Sequence, residues 1–347
     1  MLSVYTLDDA KTWDKIVRSF RDYDVYWLSG YMKPFQIHGD GDPMLFYYED
    51  GDTRGINVVM KRDIAKDLVF RGIIEENRWF DFATPYGYGG WLIEGNQTEK
   101  LFQTYFDWLE YNNIVSEFVR FHPMLKNHEA CRDFYEVVRL GEVVHMDLSS
   151  PEVIWNNLTR ENRNRIRKAE KNHVRVYDDL FTDTVEQFRE VYNATMDRKK
   201  ADNYYYFSPA FYQSVFNGLS QNTRIFRAEK DGELIAASMM IYANRHMSFH
   251  LSGCRQEYNT LAPNNLIMYR AALWGCENGY KTLLLGGGVG SRTDTLLRYK
   301  KTFNKGGLSR FYIGKKIIYP REYDELNRLG KALESPYFPQ YRAKACY

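Results

Sequence analysis

At 347 residues with 44% hydrophobic content, the chain can build two globular domains or one large one, which excludes a disordered or fibrous protein. Its 47 basic and 45 acidic side chains leave a net charge of +2, so nothing global argues for nucleic acid or an anionic membrane, and any basic site is local. The N-terminal stretch is acidic where a secretory signal would be basic, and no apolar run approaches the roughly 20 residues of a membrane span.

The four cysteines (Cys131, Cys254, Cys276, Cys346) lie far apart without CxxC spacing, as expected of reduced thiols in a cytoplasmic protein; peripheral contact with the inner face of a membrane stays open. In chain order, Trp13, Ile16, Val17 and Phe20 at helical spacing behind Asp8 and Asp9 predict a helix over 8–20. Strands over 44–48 and 55–61 about Glu49-Asp50-Gly51-Asp52 read as a hairpin. A glycine- and tyrosine-dense loop at 84–90 precedes a helix over 101–112 and a strand over 116–121. The second half repeats this order. Helices over 151–158 and 161–172 lead to a strand at 175–177 and a helix over 184–198; a hairpin of 223–230 and 234–242 follows, then a strand over 247–253, a helix over 264–278 and a buried strand over 282–285. A final helix covers 322–333.

Helix, hairpin, strand, helix, strand thus occurs twice, which two copies of one fold explain most economically. Each copy has the element order of the Gcn5-related acetyltransferase (GNAT) fold. The expected class is α/β (mixed α+β), with two GNAT-like domains, each a mixed, mostly antiparallel sheet flanked by helices. The first is expected over 1–148, with a C-terminal helix in 318–347 packing back on it, and the second over 149–317, beyond the break at Ser149-Ser150-Pro151.

The segments LTRENRNRIRKAEKNHVRV (158–176), APNN (262–265), LLLGGG followed by TDTLLRYKKTF, FYIGKKI (311–317), DFATPYGYGG (81–90) and FVRFHPML (118–125) occur in an order and spacing that resembles the Fem family of peptidoglycan-bridge aminoacyltransferases. The resemblance covers nearly the whole chain and is closest to compact members without a coiled-coil arm. It implies transfer of an amino acid from aminoacyl-tRNA to an amine of a UDP-linked or lipid-linked muropeptide, with no cofactor beyond the acyl donor.

The strand at 282–285 runs into Gly286, Gly287 and Gly288, whose backbone amides are candidate carbonyl or phosphate contacts. GGGVGS lacks the spacing of a dinucleotide fingerprint. Lys300 matches the lysine of a Phe-Lys pair that the family places at its catalytic centre, with Tyr299 in place of Phe; the implied role is to stabilise an oxyanion or a donor phosphate. By the same resemblance Lys33 faces acceptor phosphates and Tyr212 the acceptor, although Ser208 stands where the family pattern has an arginine. Asn265, Tyr86 and Tyr88 are further substrate-binding candidates, the tyrosines as a stacking platform.

Arg120 and His122 share one strand face; an imidazole there is either a proton acceptor or a structural group. Arg163, Arg167 and Lys168, with Lys301 and Lys305, form either a patch for a polyanion such as tRNA or a solvated face. No Ser-His-Asp or Cys-His order is recognisable, so direct attack by the amine is expected, and no metal-ligand spacing occurs. Two rivals stand beside this reading. One is an acyl-CoA-dependent GNAT enzyme for an amino sugar or small amine, although the segment 255–265 lacks the usual pyrophosphate-binding glycines. The other is a non-catalytic module that binds a nucleotide-sugar or a protein.

Overall fold

The computed structural model describes residues 1–179, 185–331 and 336–343. Residue 184, where a helix start was expected, residues 332–333 at the end of the expected last helix, and Cys346 lie outside the described residues. The chain forms two compact units, Met1–Leu140 with Phe311–Tyr347, and Gly141–Arg310. It passes from one to the other eight residues before the expected boundary and returns seven before the expected one.

The first unit contains β1 (Leu2–Tyr5), α1 (Ala10–Ser19), α2 (Ser29–His38), β2 (Asp42–Asp50), β3 (Thr53–Asp63), β4 (Phe80–Ala83), β5 (Leu92–Glu94), α3 (Thr98–Tyr111) and β6 (Ile114–Arg120). The β2–β3 hairpin pairs in unbroken register from Asp42↔Lys61 to Asp50↔Thr53, and Gly51 supplies the positive φ of its turn. β1 adds to β2 and β4 to β3, both antiparallel, while β4 and β6 run parallel. α3 buries Leu101, Phe102, Tyr105 and Leu109, one face at helical spacing, in a core that includes Phe46, Phe82 and Trp91.

The chain enters the second unit within β7 (Glu136–Asp147) and continues through α4 (Pro151–Asn157), α5 (Arg160–Lys171), β8 (Arg175–Asp179), α6 (Val185–Lys199) and α7 (Pro209–Leu219). It goes on through β9 (Thr223–Lys230), β10 (Glu233–Ala243), β11 (His246–Cys254), α8 (Pro263–Glu277), β12 (Thr282–Gly286) and α9 (Thr295–Lys301). The spatial order is β8-β9-β10-β11-β12-β7, antiparallel except for the parallel pair β11/β12. Its core joins Ile235 and Met240 of the sheet to Leu266, Ile267 and Ala271 of α8 and to Leu297 of α9.

β13 (Leu308–Ile317) brings the chain back to the first unit, where it pairs antiparallel with β6, and α10 (Pro320–Leu329) buries Tyr323 and Leu326 against Val115, Ile64 and Phe70. Both units therefore repeat one plan, an antiparallel meander that ends in a parallel pair. The mixed, mostly antiparallel sheets expected from the sequence are present.

Candidate active site

In the second unit β11 and β12 pair only at His246↔Thr282, Met247↔Leu283 and Ser248↔Leu284. Beyond Ser248, β11 stays with β10 as far as Cys254↔Ala236, while β12 turns toward β7 and ends at Gly286↔Val144. Two neighbouring strands thus part at their carboxyl ends. A bulge marks each departure: His250 is the extra residue between Phe249↔Met240 and Leu251↔Met239, and Leu285 interrupts the β12–β7 register. Gly286 takes φ +77°, which a side chain would resist, and a Cβ on Gly288 would come within 2.4 Å of the Arg292 carbonyl and the Asp294 carboxylate. Their close approach serves the chain's own turn.

That turn carries Lys300. Asp294 accepts hydrogen bonds from the amides of Leu297 (2.8 Å) and Val289 (2.9 Å), capping the short α9. One turn later the Lys300 ammonium donates to the Gly287 carbonyl at 2.7 Å, at the parting of the strands. The residue is only 8% exposed. Burial pulls its ammonium down to about 8; the Asp294 carboxylate opposes this and Lys199 adds to it. An ammonium has three donors, and Gly287 takes one. The rest can serve an incoming oxygen.

Tyr299 does not share this role in the structure. Its hydroxyl is enclosed and has no hydrogen-bond partner among the described residues, its ring meets Phe303 edge-on at 5.3 Å, and burial pushes its phenol far above the ordinary value. Tyr212, expected in an acceptor site, is likewise a core residue, fully buried and packed against Phe188, Phe207 and Phe211. Asn265 is 3% exposed and donates to the Asn162 side chain at 2.9 Å. It therefore reaches another helix and not an open surface.

The expected polyanion patch is largely engaged by the protein itself. Arg163 donates to the Leu158 carbonyl at 2.8 Å and closes the end of α4, and the Arg167 guanidinium lies over the Trp155 ring at 5.2 Å. Lys301 pairs with Glu142 at 3.0 Å, and Lys305 donates to the Asn156 carbonyl at 3.0 Å. Lys168 is exposed on α5.

In the first unit the parallel pair does not open. After Ala83 the loop keeps bonding along β6, with the Thr84 amide on Phe118 O and the Gly89 amide on Arg120 O. Arg120 Nε holds the Gly87 carbonyl at 2.8 Å, and its guanidinium lies over Phe311 at 5.0 Å. His122, expected on the same face and available for catalysis, is fully buried among Tyr26, Trp27 and Tyr88, with Nε2 2.9 Å from Asp24 Oδ2. The alternation fails because β6 ends at Arg120. Tyr88 is buried, and burial pushes its phenol up to about 12. Tyr86 is half-buried, its carbonyl accepting from the Tyr31 hydroxyl, and Lys33 is exposed, donating to Gln36 at 2.9 Å. The structure thus places these candidates in the first unit and Lys300, with its glycines, in the second.

Residues 157–301 match the acetyltransferase (GNAT) domain family. FemX is similar over 94% of this chain and 99% of its own, with a TM-score of 0.67 and 12% identity. The chain has the tandem GNAT fold of the Fem-like proteins. A protein assigned as a lysylphosphatidylglycerol synthetase from Agrobacterium fabrum is similar through its C-terminal domain (TM-score 0.55, 13% identity, 92% of this chain and 96% of that one). L-PGS from Bacillus licheniformis is similar too (TM-score 0.53, 16% identity, 85% and 91% coverage). No curated protein matches the chain in sequence. The match to the GNAT domain family falls within the second unit. Among the described residues no helix is long and apolar enough to cross a membrane, and no cluster of His, Cys, Asp and Glu is placed to hold a metal ion.

Sequence reasoning missed two titratable groups in this fold, His250, which is half-buried, and Glu117, which is fully buried. His250 sits at the bulge where the strands part, and burial pulls its imidazole down to about 3, so it is neutral there. Only strand registration could have found it. Glu117 on β6 is fully buried and accepts from Tyr135 (2.7 Å), Asn57 (3.0 Å) and Tyr105 (3.2 Å). Burial raises its carboxyl to about 7 against the pull of those donors. The folded protein then binds this proton more tightly than the unfolded chain does. Stability is fullest below the ordinary glutamate range and falls by about 3 kcal/mol as pH rises through 7. Urea denaturation at pH 5 and pH 8 should show that loss in the wild type and a flatter dependence in Glu117→Gln; equal slopes would remove Glu117 as its source.

Proposed function

We propose that the protein is an N-acyltransferase of Fem type that moves an aminoacyl group from aminoacyl-tRNA to an amine of a peptidoglycan precursor peptide, UDP-linked or lipid-linked, in the cytoplasm or at the inner face of the membrane. The observation that carries this reading is Lys300, a nearly enclosed ammonium held at the parted ends of β11 and β12 with donors to spare. The Fem-like fold and the fold likeness to lysylphosphatidylglycerol synthetase support an aminoacyl donor. In the reaction the acceptor nitrogen attacks the ester carbonyl, Lys300 stabilises the oxyanion, the bond to the ribose oxygen breaks, and the proton released by the amine balances the alkoxide that leaves.

The acyl-CoA alternative has less support at the start of α8. Ala262 adopts the left-handed conformation, Pro263 contributes no amide, and the Asn265 amide turns back to Ala262 O, so few amides remain to cradle a pyrophosphate. Purified protein incubated with UDP-linked muropeptide and either charged tRNA or acyl-CoA should give a product heavier by one aminoacyl residue from the tRNA alone. Transfer only from acyl-CoA would overturn the donor assignment, and no transfer from either would favour a binding module.

Because only the protonated Lys300 stabilises an oxyanion, kcat/KM should bend downward as pH rises through about 8. A limb that instead rises through 8 and disappears in Lys300→Ala would make the lysine a general base.

A further inference from the structure

α9 is too short to hold itself in place, since an isolated helix of this length is unstable in water. Leu297 packs it into the core, and hydrogen bonds pin its two ends. Asp294 fixes the first. At the second, the Asn265 amide on α8 donates to Asn162 Oδ1 (2.9 Å), the Asn162 amide on α5 donates to Thr302 Oγ1 (3.1 Å), and the Thr302 hydroxyl donates to the Tyr299 carbonyl (2.6 Å). The Thr159 amide binds the Thr302 carbonyl at 2.9 Å, and Thr159 also caps α5 through the Asn162 amide. Asn162 is fully buried and Asn265 almost so.

Three helices are therefore joined by one run of side-chain hydrogen bonds that ends a single residue from Lys300. Packing does not require amides there; apolar side chains of similar size would fill the space without needing partners. We infer that Asn265, Asn162 and Thr302 are positioning residues that set the placement of Lys300 by fixing the carboxyl end of α9. None touches the reacting atoms in this role, and Asn265, first read as a substrate contact, acts through its neighbours. The catalytic meaning of this relay rests on the function proposed above, whereas its hold on Lys300 can be read without any substrate.

The experiment is competitive amine labelling of Lys300 against pH, with the labelled peptide quantified by mass, in folded wild type, Asn162→Ala, Thr302→Val and Thr302→Ser. The wild type should titrate near 8. Asn162→Ala and Thr302→Val free the end of α9 and admit water, so the midpoint should rise by about one unit, a tenfold change in the ionisation constant. Thr302→Ser keeps the hydroxyl and should titrate as the wild type does. Should Asn162→Ala fail to fold, Thr302→Val, which keeps the side-chain shape, carries the comparison alone.

In the transfer assay the same two variants should lose about tenfold in kcat with KM little changed. An unshifted midpoint in folded Thr302→Val would overturn the relay, even with a lowered melting temperature. Full activity of Lys300→Ala would instead overturn the functional reading and leave the labelling result standing.

Discussion

Lys300→Ala should lower the rate of acyl transfer by about 10²–10³-fold, the range seen when one preorganised oxyanion donor is removed from an enclosed site, while acceptor affinity stays close to that of the wild type. The size follows from the surroundings: the ammonium is held at 2.7 Å from Gly287 O and is almost shut off from water, so its field is weakly screened. The same burial separates loss of chemistry from loss of folding. The folded protein holds this lysine at about 8 against an ordinary 10.5, which costs the folded state about 3 kcal/mol below pH 8 and is relieved as pH rises from 8 toward 10.5. The near-isosteric Lys300→Met should therefore melt at or above the wild-type temperature at pH 7 while remaining inactive. Normal turnover by a folded Lys300→Ala would remove the lysine from the mechanism.

The two hairpins were legible because they turn at Asp50-Gly51 and Asp231-Gly232, signals that act over a few residues, whereas β1, β4, β5, β7 and β13 were not read as strands. α2 was not legible either. It contains Gly30 and Pro34 and buries Ser29, Tyr31, Met32 and Phe35 on several sides, so it has no helical period to read. The candidate site divides on the same line. Lys300 was singled out by its match to the family's Phe-Lys pair, and the three glycines because they follow a buried strand directly. The burial of His122 was not legible because its partner Asp24 comes from another part of the chain, nor was that of Tyr212, because only tertiary packing shows that α7 turns it inward. Asn162 lay within a run read for its charge; what matters there is the uncharged residue that the helix aims at Thr302.

Arg342→Ala should destabilise the first unit by about 3–5 kcal/mol, the cost of stripping one partner from a buried ion pair. Asp81 on β4 is fully buried. Its Oδ1 accepts from Arg62 at 2.7 Å and its Oδ2 from Arg342 at 2.5 Å and from the Tyr341 hydroxyl at 3.0 Å. Burial alone would push that carboxyl up, but the guanidiniums of Arg342 and Arg62 outweigh it and hold it below the ordinary range. The stability it contributes is present above the ordinary aspartate range and is lost as pH falls through the lowered folded value.

Removing Arg342 also frees Asp67, which it binds at 3.1 Å, and leaves Arg62 as the one guanidinium on a carboxylate without access to water. Urea denaturation should show the full deficit at pH 7 and a smaller one at pH 4, where protonation of Asp81 in the variant relieves a buried carboxylate that keeps Arg62 but has lost Arg342. Arg342→Lys should fall between, since a single ammonium cannot reproduce the fork that reaches both Asp67 and Asp81. Because Tyr341 also bonds Ser116 at 2.8 Å, truncation before residue 336 removes both anchors and should exceed the single substitution. A loss below about 1 kcal/mol for Arg342→Ala, the range of an exposed pair, would show that the C-terminal segment is a peripheral strap with little share in the core of this unit.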